Sequence, residues 1–355
     1  MSPVRRPAAR PLAAVASILA ALMILTGCGT PVPSPDPQPK APETMPVLDK
    51  PRIERILNDL GETIDKADEE KDAELLQPRV ADPALEIRAA EYSLAKATDG
   101  GEDAYSPRTL IADPQVRIVS VSDSWPRTMM VVTQIPDDEN VPLLLTLQQK
   151  DARSPYKLHH WVRLLPGTEM PPTAVVAAGS EQVPADASGY LMNPKQALQR
   201  YADILTNGSD SEYADAFALK DDEFSSAVAQ EAENLDTVGE AGTFEHKTTA
   251  ADSAPLTLAT ENGGYIVVGE LQAKQTFTKT ISGSEITISA PQVAALDPED
   301  GKLVYLEDSI NAAYETMVAV YVPKKGDDAK ATVLGAERVL AGVSRECPRD
   351  PDRCS

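Results

Sequence analysis

The residue types best suited to covalent catalysis in this chain are a serine and a lysine three positions apart. Ser93 and Lys96 form a Ser-x-x-Lys pattern, in which a lysine one helical turn away can take the proton of a serine nucleophile. The Lys-Thr-Gly and Ser-Asp-Asn segments that complete such a site do not occur in the sequence, and Ser154 and Lys157 repeat the short pattern. We therefore expect Ser93 and Lys96 to lie at an exposed helix end, and we predict no catalytic residue and no enzymatic activity.

The adjacent histidines His159 and His160 lie in a run whose alternation of apolar residues predicts a strand. Neighbouring residues of a strand point to opposite faces, so the two rings are not expected to bind one metal ion together. His160 has the same phase as Tyr156 and should face the core or an internal pocket, where a hydrogen-bonded histidine is a commoner role than a ligand or a base. His246 lies between two charged residues and is expected to be exposed.

The same alternation predicts inward-facing side chains in both halves of the chain. If the sheet encloses a cavity, they line a candidate pocket for a small apolar ligand; otherwise they fill a core. These candidate pocket residues are Tyr156, His160, Tyr265 and Phe277.

A run of acidic residues between Asp65 and Glu74 has the composition of a calcium site but not its spacing. An EF-hand loop alternates oxygen ligands around a glycine turn, whereas this run has no glycine and includes two lysines. We expect it to be a solvated helix face, and Asp297–Gly301 to be a tight turn. No metal site and no cofactor is predicted.

Two cysteines, Cys347 and Cys354, lie near the end of the sequence and are flanked by prolines. Outside the cytoplasm such a pair can form a disulfide. A metal site would need further ligands, and no histidine lies in this tail. A disulfide that closes a terminal loop is the favoured interpretation.

The third cysteine, Cys28, follows a basic segment and then an apolar one. Three arginines precede the apolar stretch from Leu12 to Leu25, and the small residues Thr26 and Gly27 stand directly before the thiol. This order is typical of an export signal. The stretch has 14 residues, whereas a membrane span needs about 20. A simple secretory signal would leave Cys28 as an unexplained lone thiol.

Leu25-Thr26-Gly27-Cys28 resembles the lipobox of bacterial lipoproteins. The resemblance implies that Cys28 becomes the lipid-carrying first residue of the mature chain. Two acyl chains would then hold the protein firmly on the extracytoplasmic face of the cell membrane.

The acidic composition limits the partners of the chain. Its net charge is −22, and removal of residues 1–27, which hold three arginines and no acid, takes it to −25. Such a charge repels nucleic acid and anionic headgroups, so no nucleic-acid partner is predicted.

Composition also divides the chain into segments. Proline stands at almost every second position between Thr30 and Pro42, which favours an extended stalk of about 3.1 Å per residue. Proline, alanine, serine and glycine crowd together again around 168–189. The expected organisation is a signal peptide (1–27), a lipidated cysteine and stalk (28–46), a first α+β domain (47–167), a linker (168–189), a second α+β domain (190–345) and a C-terminal tail (346–355).

The two expected domains show the same order of elements. Helical spacing of apolar residues follows Asp49 in the first and Asn193-Pro194 in the second, and a shift of 145 residues superimposes the two patterns. Strands follow in each half. Asn262-Gly263 and Asp300-Gly301 predict turns. The valine content of Ala331–Ser344 favours a strand over a helix. Helices followed by antiparallel strands predict an α+β fold, with the helices packed on a curved sheet.

Both halves resemble the nuclear-transport-factor-two-like fold in element order and helix pattern. The whole chain is similar to uncharacterised lipoproteins of high-GC Gram-positive bacteria that combine a lipobox, a proline stalk and such domains. We therefore expect a non-catalytic binding or scaffolding protein of the cell envelope, which binds an envelope protein or another envelope component. The alternative is a small-ligand carrier or sensor with a pocket in one cone-shaped domain.

Overall fold

The computed structural model describes residues 46–101, 104–235, 241–281, 287–288, 290–297, 304–305 and 309–346. The expected signal peptide, Cys28, the stalk, the Cys347–Cys354 pair and the Asp300-Gly301 turn lie outside these residues. Among the helices within them, none combines the length and the apolar character that a membrane span requires.

Five α-helices and eleven strands occur in the described residues. The helices are α1 (Lys50–Glu70), α2 (Ala84–Ala97), α3 (Pro194–Asn207), α4 (Glu223–Leu235) and α5 (Pro291–Leu296). The strands are β1 (Pro114–Val119), β2 (Arg127–Thr133), β3 (Leu143–Gln149), β4 (Tyr156–Leu164), β5 (Gly242–Ala250), β6 (Leu256–Ala259), β7 (Tyr265–Lys279), β8 (Thr287–Ile288), β9 (Val304–Tyr305), β10 (Ser309–Val322) and β11 (Thr332–Glu346).

The first helix of each half begins at the predicted cap. The Asp49 carboxylate accepts a hydrogen bond from the Arg52 amide at 3.0 Å at the start of α1. Asn193 forms a capping box with Gln196 at the start of α3, which satisfies amides that the helix itself leaves unpaired. The apolar faces of both helices are buried as the spacing predicts; they include Ile53, Leu57, Leu60, Leu198, Tyr201 and Leu205.

Nine strands form one antiparallel sheet in the order β1-β2-β3-β4-β11-β10-β7-β5, with β6 also paired to β7; β8 and β9 form a separate pair. The α+β class is therefore as predicted, and so are the Asn262-Gly263 turn between β6 and β7 and the strand β11. The strands that the sequence assigns to two domains nevertheless share this single sheet, because β4 of the first half pairs with β11 of the second.

The β4–β11 junction depends on a glycine. Gly335 lies opposite Leu164, and a Cβ atom built on it would stand 2.3 Å from the carbonyl oxygen of Arg163. No side chain fits at that distance, so the absence of a Cβ atom lets the two strands approach.

Separate apolar cores lie on the two faces of the second half's strands. Tyr265 and Val267 of β7 belong to a core with α3, whereas Ile266 and Val268 belong to a core with α1 and β1–β4. Strand β7 is thus buried on both faces along Tyr265–Leu271. The first half covers the face of this sheet that α3 leaves free.

Candidate functional site

The four predicted pocket residues are all buried, but they do not surround one cavity. Their exposed fractions are 4 % for Tyr156, 2 % for His160, 0 % for Tyr265 and 2 % for Phe277. The expected common phase of Tyr156 and His160 is wrong because β4 contains a bulge. Leu158 lies opposite Leu147, whereas His160 lies opposite the next β3 residue, Thr146. The extra residue reverses the alternation, so Tyr156 and His160 lie on opposite faces.

His160 is buried as expected, but the expected hydrogen bond is absent within the described part of the chain. Neither ring nitrogen has a partner among the described residues, and the hydroxyl of its cross-strand neighbour Thr146 has none either. Burial, with a smaller contribution from His159, lowers the pKa of His160 to about 3. The ring is therefore neutral at physiological pH.

The other two histidines also occupy defined places. His159 is half-buried, and its Nδ1 atom lies 3.0 Å from the carbonyl oxygen of Asp82. His246 is not exposed, contrary to expectation: its Nε2 atom lies 3.2 Å from the Thr248 hydroxyl, and its Nδ1 atom is buried. Burial, followed by the charge of Arg338, lowers the pKa of His246.

Tyr265 is a structural residue of the second core. Its hydroxyl donates to the carbonyl oxygen of Met192 at 2.8 Å, and its ring packs edge-on against Tyr190 at 4.7 Å between centroids. Its donor proton is thus used within the core, and Tyr265 is not among the residues that line the α4–α5 groove.

Phe277 lines a cavity between α4, α5 and the strands β7, β10 and β11, which we call the α4–α5 groove. The groove consists of two adjoining cavities of about 270 and 370 Å³, and both are lined by Glu231, Gln292 and Tyr314. Its further walls are mainly apolar or aromatic and include Leu94, Phe224, Val228, Leu235, Val293, Val339 and Leu340.

A charged pair lies inside this groove. Arg338 donates through Nη1 to Glu231 and lies 3.7 Å from the centroid of the Tyr314 ring. Glu231 also accepts a hydrogen bond from the side-chain Nε2 atom of Gln275 at 3.2 Å. The Nη2 atom of Arg338 is buried and has no partner among the described residues.

This arrangement suits binding better than proton transfer. Burial and the Glu231 carboxylate raise the pKa of Tyr314 to about 12, so its hydroxyl stays protonated at neutral pH. Arginine is cationic at any physiological pH and offers planar donors to a carboxylate or similar group. An apolar cavity with few fixed polar groups is the usual form of a small-molecule site.

The serine and lysine of the Ser-x-x-Lys pattern form no comparable site. Ser93 and Lys96 are both exposed on α2, and the Ser93 hydroxyl donates to the carbonyl oxygen of Ala89 at 2.9 Å. Ser154 donates to Asp151 at 2.8 Å. Within the described part of the chain, no three His, Cys, Asp or Glu side chains are grouped so that they could hold a metal ion.

The sequence pattern did not single out Glu231, Tyr314 or Arg338. One signal was available: Glu337 and Arg338 interrupt the otherwise apolar run from Val333 to Val343. Adjacent strand residues face opposite sides, so two buried charges on β11 require one counter-ion on each face. The partners, Arg163 for Glu337 and Glu231 for Arg338, come from distant segments.

Comparison with known families gives one match. The family model described as "Domain of unknown function (DUF8094)" covers residues 44–344. The chain belongs to this family. Comparisons with curated proteins and with solved structures gave no match. The matched range of this DUF8094 member contains the α4–α5 groove and both halves of the sheet.

Proposed function

We propose that this DUF8094 member is a lipid-anchored protein of the extracytoplasmic membrane face, and that it binds a ligand without catalysis. The anchor is supported by Leu25-Thr26-Gly27-Cys28 and the short apolar segment before it. Replacement of Cys28 by serine should abolish the fatty acid that hydrolysis sets free from the wild-type protein. Absence of this fatty acid from the wild-type protein, or its persistence in the serine variant, would contradict the anchor.

The α4–α5 groove is the observation that carries the binding function. Its aromatic and aliphatic walls favour an apolar or aromatic ligand body. The Arg338 charge is balanced by Glu231, but its unpaired Nη2 donor favours a hydrogen-bond-accepting group on that ligand. Among the functions expected from the sequence, this geometry favours the small-ligand carrier or sensor over a scaffold for another protein.

A steric substitution tests the groove without removing its charges. The probe is 8-anilinonaphthalene-1-sulfonate, which joins aromatic rings to an anionic group. We expect saturable fluorescence enhancement with the wild-type chain, and at least a tenfold weaker affinity in Gln292→Trp, because Gln292 borders both cavities.

The matched control for this substitution is Gln230→Trp. Gln230 is exposed on α4 and does not line the groove, so its replacement should leave the affinity unchanged. Equal affinities of the two tryptophan variants would remove the groove as the binding site. Native mass spectrometry of the wild-type chain from its host would then show whether a bound small molecule occurs elsewhere.

We also propose that the two halves are related nuclear-transport-factor-two-like units that share one sheet. The repeated order of helices and strands supports this, as does the burial of helix positions related by the 145-residue shift, such as Ile53 with Leu198 and Leu60 with Leu205.

A further inference from the structure

A second cavity, remote in sequence from the α4–α5 groove, lies beside α1 in the first half. It has a volume of about 380 Å³. Its walls include Arg52, Arg55, Arg79, Arg127, Trp125 and Tyr156. We call it the arginine pocket.

The pocket concentrates positive charge in a chain whose net charge is −22. Arg79 is neutralised by Asp59 at 2.5 Å, and Arg52 lies 3.9 Å from Asp49 with both side chains exposed. Arg55 is exposed and has no ion-pair partner among the described residues. The pocket therefore carries a local excess of positive charge, although the chain as a whole is acidic.

Arg127 contributes a cation that is held by an aromatic ring. Its guanidinium carbon lies 4.2 Å from the Trp125 ring centroid, a cation–π distance. Trp125 is 40 % exposed, and its indole nitrogen donates to the Gln149 side chain at 3.3 Å. The ring offers a flat apolar surface at the mouth of the pocket, next to positive charge.

A buried hydroxyl at the pocket wall is an independent sign of a ligand. Tyr156 is 4 % exposed, and its hydroxyl is buried with no hydrogen-bond partner among the described residues. Buried polar atoms in native proteins are nearly always paired. Burial raises the pKa of Tyr156 to about 12, so the hydroxyl keeps its proton and is available as a donor.

We propose that the arginine pocket is a binding site for a phosphate ester. Arg55 and Arg127 supply guanidinium groups whose planar donors match phosphate oxygens. The Tyr156 hydroxyl donates a further hydrogen bond, and Trp125 covers the carbon part of the ligand. The phosphate belongs either to a soluble metabolite or to a phospholipid headgroup.

The experiment uses the expected mature chain, residues 28–355, with Cys28→Ser, so that neither a lipid anchor nor the apolar Leu12–Leu25 segment can insert into vesicles. Binding of sn-glycerol 3-phosphate is measured by calorimetry, and binding to phosphatidylglycerol vesicles by co-sedimentation, with phosphatidylcholine vesicles for comparison. We expect saturable binding of at least one phosphate probe and none to phosphatidylcholine. Binding of the soluble probe indicates a metabolite, whereas binding of the anionic vesicles alone indicates a headgroup.

Two variants and a charge-matched control assign the binding to this pocket. Arg55→Ala combined with Arg127→Ala should weaken the affinity for the phosphate probe at least tenfold. Lys247→Ala combined with Lys330→Ala removes the same charge from exposed positions elsewhere. This double variant should keep the probe affinity within twofold of the wild-type value. Tyr156→Phe should weaken it about fivefold without lowering the melting temperature, because the hydroxyl has no partner to lose.

The proposal would be overturned by either of two results. One is the absence of saturable binding of both phosphate probes. The other is equal binding by the arginine and lysine double variants, which would reveal a nonspecific effect of charge. Neither result bears on the α4–α5 groove, whose probe and variants are different.

Discussion

At the residue scale, a histidine buried in the core makes the stability of the fold depend on pH. His160 and Thr146 face each other across β3 and β4, and neither side chain has a hydrogen bond within the described residues. A buried neutral imidazole is maintained because protonation would place an uncompensated charge in the core. His160 therefore links the stability of the fold to pH.

We predict that this histidine destabilises the protein in mild acid. Its pKa is about 3 when folded and about 6.5 when unfolded, so the unfolded chain takes up the proton first as the pH falls. Its contribution is fully present above pH 6.5 and is lost progressively toward pH 3. The loss amounts to about 2 kcal/mol between pH 7 and pH 5.

The measurement is urea unfolding of His160→Leu and wild type at both pH values. Measured relative to wild type, the free energy of unfolding of His160→Leu should be about 2 kcal/mol higher at pH 5 than at pH 7. Thr146→Val removes a neighbouring unpartnered hydroxyl without a titrating group, and its difference from wild type should not depend on pH. A His160→Leu difference that is equally flat would show that the ring is not buried as described.

At the element scale, β11 carries the connection between the two halves. It pairs with β10 along most of its length and with β4 only at Gly335 and Ala336. A second glycine on the same strand, Gly342, has open space around its Cβ position. The two glycines thus have different roles, although both are single glycines within one strand.

We predict opposite effects of alanine at these two glycines. Gly335→Ala places a methyl group against the rigid backbone of Arg163 and should cost about 3 kcal/mol of unfolding free energy. Gly342→Ala should be neutral or stabilising by up to about 1 kcal/mol, because it restricts the unfolded chain. Thermal and urea unfolding of the two variants measure the contrast. Similar destabilisation by both would mean that the close β4–β11 approach does not exist.

At the scale of the whole molecule, one sheet and a buried ion-pair network hold the two halves together. Arg163 of the first half donates to Glu337 of the second, and both side chains are 5 % exposed. Arg163 also reaches Glu139 at 3.1 Å and the carbonyl oxygen of Thr109 at 2.7 Å. A buried pair of this kind contributes little by itself, but the loss of one partner leaves a charge stranded in the core.

We predict that Arg163→Met costs about 3–5 kcal/mol of unfolding free energy, because it strands the Glu337 carboxylate. Arg108 shares the Glu139 partner but is 48 % exposed, so Arg108→Met should cost no more than about 1 kcal/mol. Adding Glu337→Gln to Arg163→Met should recover part of the loss. A small effect of Arg163→Met alone would argue against a shared interior between the halves.

Local chemistry in the sequence was enough to predict several of the individual elements. The caps at Asp49 and Asn193, the Asn262-Gly263 turn and the strand β11 were all predicted correctly. Each of these depends on side chains that act on backbone within a few positions. The alternation of β4 failed at one bulge, because an extra residue there is set by the pairing with β3 and leaves no local mark.

The sequence by itself determined the α+β class, the caps at Asp49 and Asn193, the Asn262-Gly263 turn, and the pattern that suggests a lipid anchor. The tertiary structure alone decided that the two halves share one sheet, and that residues from distant segments line the α4–α5 groove and the arginine pocket. The reason is physical. Periodicity and capping arise from neighbours along the chain, whereas a cavity is defined by side chains that only the packing of remote segments brings together.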